Sequence, residues 1–176
     1  METNNDFLPS NYVQPSNGGG YFKFEKGENR FRILSKPVIG WIDWDNKKSI
    51  RSQMANKPQP IDPTKAVKHF WAFVIWDSKS NAIKILEITQ SGIQASIAAL
   101  SKDADWGSPF GYDIKIVKAG EGMETTYTVN PVPHKPITPE IKEMLSKKPI
   151  DLNKLFEGAD PFDTTNVIKV IEPVPF

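Results

Sequence analysis

The stretch His69-Phe70-Trp71-Ala72-Phe73-Val74-Ile75-Trp76-Asp77 limits the fold more than any other. It is rich in aromatic and β-branched residues, and a turn-forming run, Asp77-Ser78-Lys79-Ser80-Asn81, follows it. Ala82 to Thr89 then reads as the returning strand of a hairpin. Side chains alternate along a strand, so Phe70, Ala72, Val74 and Trp76 share one face and Trp71, Phe73 and Ile75 share the other. Both faces are apolar. Each therefore needs a cover, supplied by the chain or by a ligand.

The chain around this hairpin reads as a small β protein. Residues 1–20 are rich in Asn, Pro, Ser and Gly and end in Gly18-Gly19-Gly20, the composition of a flexible arm. Tyr21-Phe22-Lys23-Phe24 begins the first strand, Gly27 breaks or bulges it, and Asn29 to Ser35 continues it. After a turn at Lys36-Pro37, Val38 to Trp44 reads as a short strand, and the two together can form one bent ribbon. Asp45 to Lys68 is polar and carries Pro58, Pro60 and Pro63, so it is expected to be a mobile basic loop that orders on ligand. Ser91 to Leu100 reads as a helix, with Ser91 as cap and Ile93, Ile97 and Leu100 on one stripe. Tyr112 to Ala119 and Thr125 to Val132 read as two more strands around a turn at Gly120-Glu121-Gly122. Thr138 caps a last helix with Pro139 in its first turn, and Asp151 to Phe156 adds a short helical turn.

This order predicts a mainly β fold, a five-stranded Greek-key barrel of the OB type with a helix between strands 3 and 4 and a short C-terminal helix. The expected divisions are an arm over 1–20, the barrel over 21–135, a helical extension over 136–156 and an acidic tail over 157–176.

Composition removes several function classes. The 176 residues include no cysteine, which excludes disulfides, thiolate nucleophiles and cysteine zinc sites. No run of about 18 apolar residues is present to form a transmembrane helix. The polar, acidic start is not that of a signal peptide, so a cytoplasmic protein with no membrane partner is expected. Net charge is +1 but unevenly spread. Tyr21 to Lys68 holds eleven Lys and Arg against five acids, whereas Glu157 to Phe176 holds one lysine against four acids.

The basic half also carries aromatic residues, and that combination suits a single-stranded nucleic acid: cations track phosphates while flat rings stack on bases of any sequence. Arg30 and Arg32 alternate with Phe31 and are the first candidates for phosphate contact; Trp41 and Trp44 are the stacking candidates. Lys36, Lys47, Lys48, Arg51 and Lys57 would form a charged lip, and Trp71, Lys115 and Tyr127 would extend the groove. The competing reading places the charges on an ordinary solvated face and the tryptophans in the core. His69 and His134 read as incidental. The paired acids Asp43 and Asp45, and Asp103 and Asp105, are the only hint of metal-dependent nuclease chemistry, and salt bridging or turn capping explains them as well. No catalytic residue, metal or cofactor is expected.

The pieces Gly27-Glu28-Asn29-Arg30-Phe31-Arg32-Ile33-Leu34, Gly40-Trp41, Phe70-Trp71-Ala72, Ile83-Lys84-Ile85-Leu86-Glu87-Ile88, Trp106-Gly107, Tyr112-Asp113-Ile114 and Thr126-Tyr127 occur in an order that resembles the phage single-stranded-DNA-binding (helix-destabilising) proteins of OB-fold type. The resemblance covers about residues 21–133. It implies a non-enzymatic binder of single-stranded DNA without strong sequence preference, acting in replication, recombination or repair in the host cytoplasm. Some members hold a zinc through cysteines and histidine, which this chain lacks the cysteines to do. The last two residues, Pro175 and Phe176, look like the end of bacterial single-stranded-DNA-binding proteins, whose acidic tips recruit replication and repair enzymes; this implies a partner-docking tail. The alternative readings are a protein-interaction or structural β module and, behind it, a metal-dependent nuclease.

Overall fold

The structure, a computed structural model, describes residues 20–163. Residues 1–19 of the expected arm and 164–176 of the expected tail, with Pro175 and Phe176, lie outside the described residues.

Seven strands and two helices follow one another as β1 (Gly27–Ile33), β2 (Val38–Asp45), β3 (Lys48–Gln53), β4 (Lys68–Asp77), β5 (Ala82–Ile88), α1 (Ser91–Lys102), β6 (Asp113–Ala119), β7 (Thr126–Pro131) and α2 (Pro139–Lys147). All strand pairings are antiparallel, in the order β3-β2-β4-β1-β6-β7 with β5 also on β4. The mainly β architecture agrees with expectation, but three details differ. There are seven strands instead of five, the sheet does not close into a barrel, and the helix follows the fifth strand instead of the third.

The extra strand comes from the stretch expected to be a loop. Asn46 and Lys47, at φ 47° and 69°, form a two-residue turn that joins β2 to β3 with Asp45 opposite Lys48. Positive φ at both central residues is the hairpin geometry that matches strand twist, and asparagine tolerates it well. β3 has no apolar face, but as an edge strand it needs none.

β4 is the axis of the molecule. At Ile75 it pairs with both Ile33 and Lys84, and at Trp71 with both Ile39 and Ile88. β5 therefore takes one edge, and β1 and β2 share the other, running in the same direction. The Lys36-Pro37 segment does not reverse the chain. It shifts the register by two residues, from Ile33↔Ile75 to Val38↔Ala72, and Leu34 N and Ser35 Oγ bond Val74 across the break. The outer edge of β5 is met by Gly20–Phe22, which exchange hydrogen bonds with Ile85.

Both faces of β4 are covered by the chain itself. Phe73 and Ile75 join Phe31, Ile33, Leu86, Ile88, Tyr112, Ile114 and Ile116 in a core closed by Ile93 and Ile97 of α1. Phe70, Ala72 and Val74 join Leu34, Ile42, Ile83 and Ile85 in a second core. That second core is sealed by the C-terminal segment: Leu152 and Leu155, from a short 3-10 turn, are buried in it, and Ile141 and Leu145 of α2 pack against it. Each buried leucine contributes about 1.5–3 kcal/mol by area transfer. Thr138 caps α2 as expected, its hydroxyl accepting from Ile141 N. The N-cap of α1 is Gln90, not Ser91, and it makes no side-chain hydrogen bond to the helix. Of the expected tail, residues 157–163 are described; Pro161 is buried, and the Phe162 ring meets Tyr21 edge to face.

Candidate nucleic-acid interface

β2 outruns β4. Ile42 pairs with Lys68, the first residue of β4, so Asp43–Asp45 continue with β3 alone as a projecting hairpin arm. The chain from 54 to 67 folds back against it. Asp43 is the anchor: one carboxylate oxygen accepts from Trp44 N and the other from Ile61 N, each at 2.9 Å. Trp41 Nε1 donates to Met54 O at 3.0 Å and pins the other end. Gly40 sits at the root of the arm, where a Cβ would run into the Ser52 carbonyl oxygen and the Phe70 and Phe156 rings.

The register from Gly40 to Asp45 is regular, so Trp41 and Trp44 project from opposite faces of β2. Trp41 lies on the side of Ile39, Asp43 and its cross-strand neighbour His69, with which its ring makes a 5.3 Å contact. Trp44, 43% exposed, lies on the side of Lys68. Each indole carries an ammonium group: Lys57 Nζ stands 4.6 Å from the Trp41 ring centre, and Lys68 Nζ 5.9 Å from that of Trp44. Between the hairpin and the 61–68 segment lies a cleft of about 750 Å3, bordered by Trp44, Lys47, Ile61, Asp62, Lys65 and Lys68. Among the described residues, four of the eight exposed large apolar side chains belong to the arm and its loop: Trp44, Ile50, Met54 and Ile61. That clustering marks a binding surface more than scattered exposure would.

The arm is also basic. Lys47 and Lys48 are exposed at its tip, and Lys57, Lys65 and Lys68 flank it; of these five, Lys65 alone forms an ion pair among the described residues, with Asp62 at 3.9 Å, while Asp45 stands across the strand from Lys48. His69 is fixed from both sides. Trp71 Nε1 can only donate, so His69 Nε2 accepts it at 3.1 Å and Nδ1 carries the hydrogen given to Gly40 O at 2.8 Å.

The arginines lie elsewhere. Arg30 pairs with β6 near Ser78, at the far end of β4 from the arm, about 30 Å along the strand. Asp113 binds Arg30 Nε at 2.8 Å and Arg32 Nε at 2.7 Å. Arg32 is 4% exposed and also donates to the carbonyls of Phe110 and Lys135, so contrary to expectation it is a buried fastener between β1 and β6, not a phosphate ligand. Arg30 keeps its outer nitrogens at the surface. Arg51 is likewise withdrawn from the charged lip: Glu87 takes its Nε at 2.7 Å, and the guanidinium lies 5.8 Å over Phe70. Lys115 faces Glu28 at 3.9 Å beside Arg30, Tyr127 packs on Phe24 against the first core, and Trp71 is half-buried there too. Lys36 is exposed at the opposite end of β2 from the arm tip.

The structure thus gathers Trp41, Trp44, Lys47, Lys48 and Lys57 and adds Lys65, Lys68, His69, Met54 and Ile61, which sequence reasoning did not select. Lys68 and His69 carried a usable signal, since they open the strongest strand beside the basic stretch. The acid pairs have local roles: Asp43 holds the loop, and Asp103 accepts from Asp105 N and Trp106 N. Among the described residues, no group of three or more His, Cys, Asp or Glu is placed to hold a metal, and no helix is long and apolar enough to cross a membrane.

The chain is similar to a protein of Escherichia phage T5 named "Probable ssDNA-binding protein", 36% identical over 142 residues, an alignment covering 64% of this chain and 54% of that protein. The resemblance to phage single-stranded-DNA-binding proteins therefore holds, and the chain spans about half the length of the curated relative it matches. No family model and no solved structure matches it.

Proposed function

We propose that this chain binds single-stranded DNA on the β2–β3 arm, without chemistry and with little sequence preference. The observation that carries the reading is the arm with its flanks: a half-buried and an exposed indole, each with an ammonium group over it, and five lysines, of which only Lys65 forms an ion pair among the described residues. Indoles stack on any base and lysines follow the phosphates. The name of the phage relative supports the same ligand. Arg30, with Lys115, is a secondary phosphate contact on the outer face of β1 and β6. In this reading the protein coats exposed strands in the host cytoplasm during phage replication, recombination or repair. Residues 21–135 form the binding body, and the acidic tail ending in Pro175 and Phe176 docks partner proteins.

Titration with oligo-dT, read by tryptophan fluorescence, tests the reading. The expected result is quenching with an affinity that falls steeply as salt rises, weaker binding to duplex, and a loss of about 1–3 kcal/mol for Trp44→Ala with the salt slope nearly unchanged. Equal binding of duplex and single strand, or no quenching, overturns it. The exposed Ile50, Met54 and Ile61 favour a second reading, a protein-binding arm, for which a purified partner would bind with little salt dependence.

A further inference from the structure

In the free protein each of the two indoles that would receive bases has an ammonium group over its ring. Lys57 Nζ lies closely over Trp41, at 4.6 Å, and Lys68 Nζ more loosely over Trp44, at 5.9 Å, and among the described residues neither lysine makes an ion pair or a hydrogen bond through its ammonium group. Both lysines are exposed, Lys57 in the loop and Lys68 at the first position of β4. An exposed cation–π contact is a weak hold, and a stacked base makes a stronger one. A base and an ammonium cannot share one indole face. A lysine displaced from the ring stays tethered within one side-chain length of it, about the distance from a stacked base to its own phosphate.

We infer that Trp41 with Lys57, and Trp44 with Lys68, are two one-nucleotide modules in which the lysine holds the ring face in the free protein and passes to the phosphate when a base stacks there. This rests on the arm being the DNA site. The handover has two consequences. The ammonium group keeps a charge beside each ring until DNA arrives. Stacking and charge neutralisation also become one event, because the same nucleotide supplies the ring and the anion.

Proton NMR of the full chain with a short oligo-dT tests the exchange directly. Protons next to Nζ of Lys57 and Lys68 lie over the indoles, so ring current places them upfield in the free protein. The expected result is that saturating oligo-dT moves both sets to ordinary lysine positions while tryptophan fluorescence is quenched. Lys57→Met and Lys68→Met, which keep the apolar stem, should each lower the slope of log affinity against log salt by about 0.7 and leave the quenching in place. Upfield lysine signals that persist in the quenched complex overturn the handover, as does a methionine variant that binds more tightly with an unchanged slope. Both of those outcomes leave DNA binding itself intact. Absence of binding by the unaltered chain instead removes the functional reading on which the modules depend.

Discussion

Replacing Arg32 with alanine removes three hydrogen bonds from a buried site, among them half of the arginine pair that holds the Asp113 carboxylate. The expected cost is about 3 kcal/mol in urea unfolding, with the salt slope of DNA binding unchanged in the folded fraction. A stable variant with a reduced slope would return Arg32 to the interface. Asp77 is a second residue with a defined outcome. Burial works against its charge, yet Ser80 Oγ, Lys84 Nζ and Lys79 N–H bind the carboxylate and hold its pKa below the ordinary value. A depressed folded pKa stabilises above the unfolded value, near 4, and that stability is lost as pH falls through the folded one. Asp77→Asn should therefore lower Tm at pH 7, and its gap to the unaltered chain should narrow below about pH 4. A gap constant from pH 7 to 3 would show that the charge is not what matters. The sequence made both residues visible: Asp77 closes the hairpin turn expected of it, whereas Arg32 has a different role from the one expected. Alternation puts Arg32 on the side of β1 away from Phe31, but only the pairing with β6 brings Asp113 beneath it.

Among the elements, the β2–β3 hairpin and the C-terminal segment were the least legible. The hairpin had a readable turn in Asn46-Lys47, but its strand has no apolar period to betray it, since only its partner β2 reaches the core. The C-terminal segment was visible as a helix and a helical turn, Thr138 cap included. Its destination was not visible, because nothing local shows that Leu152 and Leu155 fill the second face of β4. The two-faced apolar pattern of His69 to Asp77 did announce that a cover was required. Leu155→Ala should cost about 3 kcal/mol of global stability, measured by thermal unfolding, because it opens a cavity in that core. Near-unchanged stability would make the segment a detachable appendage. Gly40→Ala acts at the root of the arm, where Ser52 O, Phe70 and Phe156 leave no room for a methyl group. It should weaken oligo-dT binding more than it lowers Tm, and the reverse order would place the strain in the core.

At the scale of the whole molecule, the paired charges Arg30, Arg32, Asp113, Lys115 and Glu28 sit at one end of β4, and the arm with its lysines sits at the other. A linear reading joined Arg30 and Arg32 to Trp41, Trp44 and the lysines in one groove because they are neighbours in sequence, whereas the β1–β2 ribbon carries the chain along the length of β4 between them. The arm itself imposes one more condition. Trp41 and Trp44 face away from each other, so a polymer that stacks on both must pass around the hairpin within a few ångströms of its edge. Duplex DNA, with a persistence length of about 50 nm, cannot make that turn. If the arm is the DNA site as proposed, discrimination against duplex would come from bending stiffness and need no group that reads a base edge. The same argument separates single strands from one another. Oligo-dT, whose bases stack little among themselves, should bind more tightly than oligo-dA of equal length and charge. Trp41→Ala should shrink that preference, since with one indole gone the strand no longer has to bend.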